Sequence, residues 1–241
     1  MSRQTPTCLS SRAQRFVAAT AIGSVLVALG RWYLRPVSKT PDGTLLDQVL
    51  PDAEFSGQVS VVIHAAPNAI FQALRAVTLA DMPLAKFLGE LRYLPARLMG
   101  KQAEAPATEP FMKLVMAESG NVLLAETPER ELVVGSVGKY HNLLDQQIAS
   151  LQSPAEFLRF DQPNYQKLAM SFRIAGSEPT AGYKLILEHR THALSPAARA
   201  KFALYWLGIK PGGNFVSWLL LRAIKRRAEQ KAIDVASAKR R

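Results

Sequence analysis

The chain has 241 residues, 48% of them apolar, and a formal net charge of +11. That length can bury one sizeable core with accessories, and that apolar content excludes wholesale disorder. A single cysteine, Cys8, excludes a disulfide framework, a cysteine-rich metal site and an intrachain redox pair.

The charge is concentrated at the two ends. Residues 1–40 carry Arg3, Arg12, Arg15, Arg31, Arg35 and Lys39 with no acid, and residues 225–241 carry seven basic residues against Glu229 and Asp234. Between them, residues 41–224 are balanced, with 17 charges of each sign. A nucleic-acid site keeps its basic patch on the folded body, where phosphates are tracked. Basic ends point instead to solvated termini or an anionic lipid surface, so nucleic acid is not the expected partner.

From the N-terminus, Phe16 to Gly30 is a run of 15 residues without charge. As a helix it spans about 22 Å, against a hydrocarbon core of roughly 30 Å. Extended to Leu34, with Arg31 snorkelling and Trp32 and Tyr33 at the interface, residues 1–35 read as a basic segment and a single-pass hydrophobic anchor. A secretory signal cleaved at Ala28-Leu29-Gly30, or a helix of the globular body, are the alternatives. Basic residues flank both sides, so the orientation stays open.

Residues 36–54, with Pro36, Pro41, Gly43 and Pro51, read as a linker, and 55–230 as the folded domain, followed by a basic tail at 231–241. "GQVSVVIHAAP" alternates like a strand. Pro67 opens a helix with Ile70, Phe71 and Leu74 on one side, and Asp81 caps a second one that has Pro83 in its first turn. After the loop "KQAEAPATEP", six short runs have β-like character: "FMKLVMA", "NVLLAET", "ELVVGSVGKY", "FLRF", "QKLAMSFRIA" and "YKLILEHRTH". In the last stretch Phe202, Tyr205, Trp206 and Ile209 share a helix face. Pro211-Gly212-Gly213 is then expected to break the helix, and a second, apolar helix to begin near Asn214. Strand, helices, strands and a C-terminal helix make an α+β order.

Chemistry-bearing motifs are sparse. There is no nucleophile elbow, phosphate loop or dinucleotide fingerprint. His189 and His192 are three apart, which on a strand turns them to opposite faces and argues against a metal pair. Glu188 and Arg190 share the other face as an ion pair. No catalytic set and no metal or cofactor site is expected.

Three stretches carry a resemblance. They are Asp81-Met82-Pro83 with Leu91-Arg92-Tyr93-Leu94-Pro95, then Phe157 through Lys167, and Glu188-His189-Arg190 leading into Phe202-Ala203-Leu204-Tyr205-Trp206. With the element order, over about residues 55–230, they resemble a bacterial branch of the START/SRPBCC superfamily, the polyketide-cyclase-like helix-grip proteins. The resemblance implies a curved antiparallel sheet wrapped around a long C-terminal helix, with a cavity between them, and brings no catalytic residues. Candidate cavity residues are then His189, Leu168, Met170, Phe172, Tyr205 and Trp206, with Arg92 for an anionic headgroup.

The expected function is binding of a hydrophobic small molecule or lipid by a membrane-anchored domain, in a bacterial inner membrane, or in the periplasm if the leader is cleaved. The alternatives are an interaction protein docking through an exposed Trp218–Leu221 face, and a cyclase- or hydratase-type enzyme. The oligomeric state is left open.

Overall fold

The structure is a computed structural model and describes residues 43–88, 90, 108–117, 120–142, 147–176 and 182–238. Both the Phe16–Leu34 segment and Arg92 lie outside those residues. Among the described residues, no helix is long and apolar enough to cross a membrane.

Five strands form one antiparallel sheet. They are β1 (Phe55–Ile63), β2 (Val122–Thr127), β3 (Glu131–Gly138), β4 (Gln166–Ala175) and β5 (Tyr183–Ala193), ordered β1-β5-β4-β3-β2. Around them run helices α1 (Leu45–Val49), α2 (Pro67–Ala76), α3 (Phe111–Ala117), α4 (Pro154–Arg159) and α5 (Pro196–Ala238). A 3-10 turn covers Leu79–Asp81, and residues 83–88 are helical. The expected α+β class is what this architecture has.

Alternation along the strands gives the sheet two apolar faces, and each has its own cover. On one face Ile63, Leu132, Val134, Phe172, Leu185 and Leu187 pack under Leu220, Leu221 and Ile224 of α5 and Ile70, Phe71 and Leu74 of α2. On the other, Val133, Val137 and Ala169 pack under Leu46 and Leu50, at α1, and under Phe157 of α4. Each such buried side chain contributes on the order of 2 kcal/mol.

Several expectations need correction. "FMKLVMA" is helix α3, not a strand. "FLRF" belongs to helix α4, started by Ser153, whose hydroxyl accepts from the Glu156 N–H, with Pro154 in the first turn. The sheet therefore has five strands rather than seven. At α4 cap chemistry won over a short apolar run, and in neither run is the length enough to separate strand from helix. Asp81 does not cap the helix after it. Its Oδ2 accepts from the Thr78 N–H and hydroxyl at 2.8 and 2.9 Å, closing the turn that precedes that helix.

Helix α1 falls inside the stretch read as a linker. Thr44 and Asp47 form a capping box at its start. The Glu131 carboxylate reaches over from β3 to accept from the Leu45 N–H at 3.0 Å and from the Ser171 hydroxyl at 2.7 Å. Arg190, buried on the same face, donates to Asp47 at 2.7 Å and to Glu188 at 2.6 Å. The expected Glu188–Arg190 pair is thus one half of a clamp that fastens α1 to the sheet. Burial opposes Asp47's charge, yet the Thr44 N–H and Arg190 outweigh it and hold the carboxyl below its ordinary value.

The expected helix break is absent. α5 runs unbroken for 43 residues with Pro211 inside it. Proline removes one backbone donor, but Leu207, whose carbonyl would have accepted it, is exposed to water. The turns on either side are pinned to the sheet by Phe202 and Trp206 before it and by Leu220, Leu221 and Ile224 after it. The same packing puts Leu220 and Leu221 inside, so Trp218–Leu221 is not an exposed face. A Cβ built on Gly212 meets nothing within 4 Å. Gly212→Ala is therefore expected to stabilise the fold by about 0.5–1 kcal/mol, through helix propensity, read as a raised denaturant midpoint.

Candidate functional site

The N-terminal half of α5 crosses β1 and β5 through aromatic rings rather than aliphatic side chains. Phe55 of β1 meets Phe202 edge-on at 4.9 Å between centroids and Trp206 at 6.2 Å. Phe202 stacks on Trp206 at 5.7 Å and tilts against Tyr205 at 5.4 Å. His189 of β5 faces this cluster, 5.4 Å edge-on from Trp206.

The backbone beneath is cut away to make room. Gly57 sits opposite His189 in the β1–β5 ladder. A Cβ at Gly57 would lie 2.5 Å from His189 Nε2 and 2.7 Å from Asn214 Oδ1. The glycine is therefore what lets an imidazole from the sheet and an amide from the helix converge over one strand.

Two buried polar atoms at this point lack a partner among the described residues: Trp206 Nε1, a donor, and Asn214 Oδ1, an acceptor. A buried polar group without a partner costs roughly 1–3 kcal/mol, so it needs an explanation. Burial, and then the charge of Lys210, push the His189 pKa down to about 4, so its ring is neutral at pH 7. A donor, an acceptor and a neutral imidazole together suit an uncharged polar group such as a hydroxyl or carbonyl. Farther along the same sheet face the fully buried Thr191 Oγ1 also has no partner among the described residues, whereas Tyr140, Ser136 and Gln166 bond one another. The Tyr140 hydroxyl donates to Ser136 at 2.7 Å, and Gln166 accepts from the Tyr140 N–H at 3.1 Å.

Of the residues expected from sequence, the structure brings together His189, Trp206 and Tyr205. Met170 is half-buried and opposite His189 in the β4–β5 ladder, and Leu168, also half-buried, is opposite Thr191. Phe172 is fully buried in the main core. His192 lies on the other face, with Nδ1 3.3 Å from a Glu54 oxygen but out of line for a hydrogen bond. Sequence reasoning missed Gly57 and Asn214. The signals were a glycine inside a strand pattern and a polar residue next to an apolar helical run.

A separate cleft of 690 Å³ lies where the turns after β2 and β4 approach the start of α1, lined by Thr44, Gln48, Glu129, Arg130, Arg173 and Tyr183 among others. It holds none of the expected cavity residues. Among the described residues, no group of His, Cys, Asp and Glu is placed to hold a metal ion.

No protein-family model matches the chain, and no curated protein does. Among solved structures it is similar to the X-ray crystal structure of protein MLL2253 from Mesorhizobium loti, with 16% identity and a TM-score of 0.31. That match covers 71% of this chain and 97% of the other. A likeness this slight carries no argument about fold or activity.

Proposed function

We propose that the body is a helix-grip domain of the START/SRPBCC kind, and that it binds a hydrophobic small molecule or lipid between the sheet and the N-terminal half of α5. One observation carries the reading: Asn214 Oδ1, over the notch that Gly57 leaves beside a neutral His189, and Trp206 Nε1, on the ring that meets His189 edge-on, are buried without partners among the described residues. An uncharged head would satisfy the two orphans, and an apolar body would run along Leu168 and Met170 toward the aromatic wall. The Phe16–Leu34 segment, as an anchor in a bacterial membrane, would keep the domain where such ligands are found.

An enzyme of this fold is the weaker reading. Trp206 and Asn214 do not titrate in the physiological range. Burial and the charge of Lys210 disfavour a protonated His189, so the ring would serve as a base with no acid of its own to pass the proton on.

The test is native mass spectrometry of the detergent-solubilised full chain, with extraction of whatever co-purifies, and titration with a fluorescent fatty alcohol. Uptake is expected at one equivalent. Trp206→Phe, which removes the donor together with part of the indole ring, should weaken uptake at least about tenfold, the equivalent of one lost hydrogen bond or more. Gly57→Ala, which fills the notch, should weaken it by at least as much. Uptake unaltered by both variants, or no uptake by the parent chain, would reject the site.

A further inference from the structure

The opposite, outward face of α5 presents an apolar stripe to solvent. Leu204 is 75% exposed, and Leu207, Phe215 and Val216 are exposed as well, with Gly208, Pro211 and Gly212 between them. Leu204, Gly208, Pro211, Phe215 and Trp218 succeed one another at spacings of four and three, so they follow one side of the helix for about four turns. Single exposed apolar residues are ordinary, whereas a contiguous stripe on one helix marks a contact surface.

Charge decides what that surface meets. From Pro196 to Ala228 the helix holds seven basic residues and no acid. Arg199, Lys225 and Arg227 are paired with Glu54, Glu229 and Asp81, but Lys201 and Arg222 flank the apolar stripe. Exposed Lys201 precedes the apolar stripe by one turn, and exposed Arg222 follows it on the same side, whereas Arg226 turns back to donate to the Asp81 carbonyl at 2.7 Å. Arg222 lies over the Trp218 ring at 4.7 Å, and that ring is stacked on Phe215 at 5.9 Å. An aromatic ladder ending in a guanidinium, with lysine at the other end, combines the apolar and electrostatic terms that hold a helix in a lipid interface. A protein partner would need acidic groups at both ends of a matching groove. An anionic bilayer supplies negative charge on every side of the stripe.

We infer that the outer face of α5, from Lys201 to Arg222, docks on an anionic membrane surface, with Leu204, Leu207 and Phe215 buried among the lipid headgroups. The inference is independent of the ligand proposed above, which sits on the inner side of the same helix. Docking can hold with no ligand bound, and a ligand can bind with the stripe in water.

The experiment uses the full chain, reconstituted into vesicles so that the N-terminal segment is the same in every sample. In a Cys8→Ser background, a polarity-sensitive fluorophore is attached through Leu204→Cys, Phe215→Cys or, as control, Arg159→Cys on α4. Vesicles are phosphatidylcholine alone, or phosphatidylcholine with phosphatidylglycerol, each with and without spin-labelled lipid as quencher. With anionic lipid, the fluorophore at 204 and 215 should shift to the blue and be quenched, and high salt should reverse both effects. The control should show neither. At limiting phosphatidylglycerol, Lys201→Gln and Arg222→Gln should lower the docked fraction roughly fivefold for each charge removed. These positions are exposed, so circular dichroism should be unchanged. A fluorophore at 204 and 215 that stays water-like in anionic vesicles overturns the inference. So does a response equal in neutral vesicles, or one that appears without lipid as the protein concentration rises, which would mean a second copy covers the stripe.

Discussion

Arg190→Ala is expected to destabilise the fold by about 3–5 kcal/mol, because it leaves Glu188 buried with no countercharge and releases Asp47 from the sheet. Among the described residues this guanidinium is the one cation that reaches both carboxylates, at 2.6 and 2.7 Å. The loss should be readable as a fall in the denaturant midpoint without a change of fold in the survivors. It should also fray α1, seen as faster amide exchange at Asp47 and Gln48. A neutral replacement separates the clamp's charge from its shape. Arg190→Met combined with Glu188→Leu and Asp47→Leu should recover most of the lost stability, since a buried ion cluster is often no better than apolar side chains of similar volume. If Arg190→Ala costs less than about 1 kcal/mol, the cluster is hydrated and the clamp does not hold α1.

The second large effect is acid lability. His189 titrates near pH 6.5 in the unfolded chain and near pH 4 in the folded one. Between those values the unfolded chain binds the extra proton, so folding stability rises with pH across that window and is lost as pH falls through it. At about 1.4 kcal/mol per pH unit, the full loss approaches roughly 3 kcal/mol by pH 4. Asp47, whose pKa is lowered in the fold, starts to contribute only as pH falls toward and below its ordinary value of 3.8, so the two groups act in successive windows. Equilibrium unfolding at pH 7, 5.5 and 4.5 checks this, with His189→Gln as the comparison. The variant should lose less stability on acidification than the parent. Equal losses in both would show that the His189 ring is open to water.

The sequence marked the body of the domain well. Alternation in "QKLAMSFRIA" and "YKLILEHRTH" is strong because the two strands are long and two-faced, and it placed His189 and His192 on opposite sides. Short runs were where it misled. "FMKLVMA" and "FLRF" hold too few residues for either period to declare itself, and neighbours outside the run decided them. Pro211 misled for a different reason. The local cost of proline in a helix is real, but the contacts that keep α5 continuous come from strands far away in sequence. At the candidate site, the aromatic residues were legible from helical spacing, whereas the convergence of Gly57, His189 and Asn214 depends on strand register and on α5 running straight past residue 211. The clamp around Arg190 stayed hidden because one of its acids lies in a segment that reads as linker.

At 43 residues, α5 is a beam of about 65 Å, riveted to the sheet at its aromatic end and again at its leucine end. Between the rivets lie Gly208, Pro211, Gly212 and Gly213, where the beam has little side-chain bulk, and Pro211 leaves one rung of its ladder unmade. Flexing there meets less resistance than elsewhere along the helix, since that rung is already missing. The span lies directly above His189, so its stiffness sets how readily a molecule could slip under the helix. That makes the Gly212→Ala variant a probe of kinetics as well as of stability: a stiffer beam should admit and release a ligand more slowly at unchanged affinity.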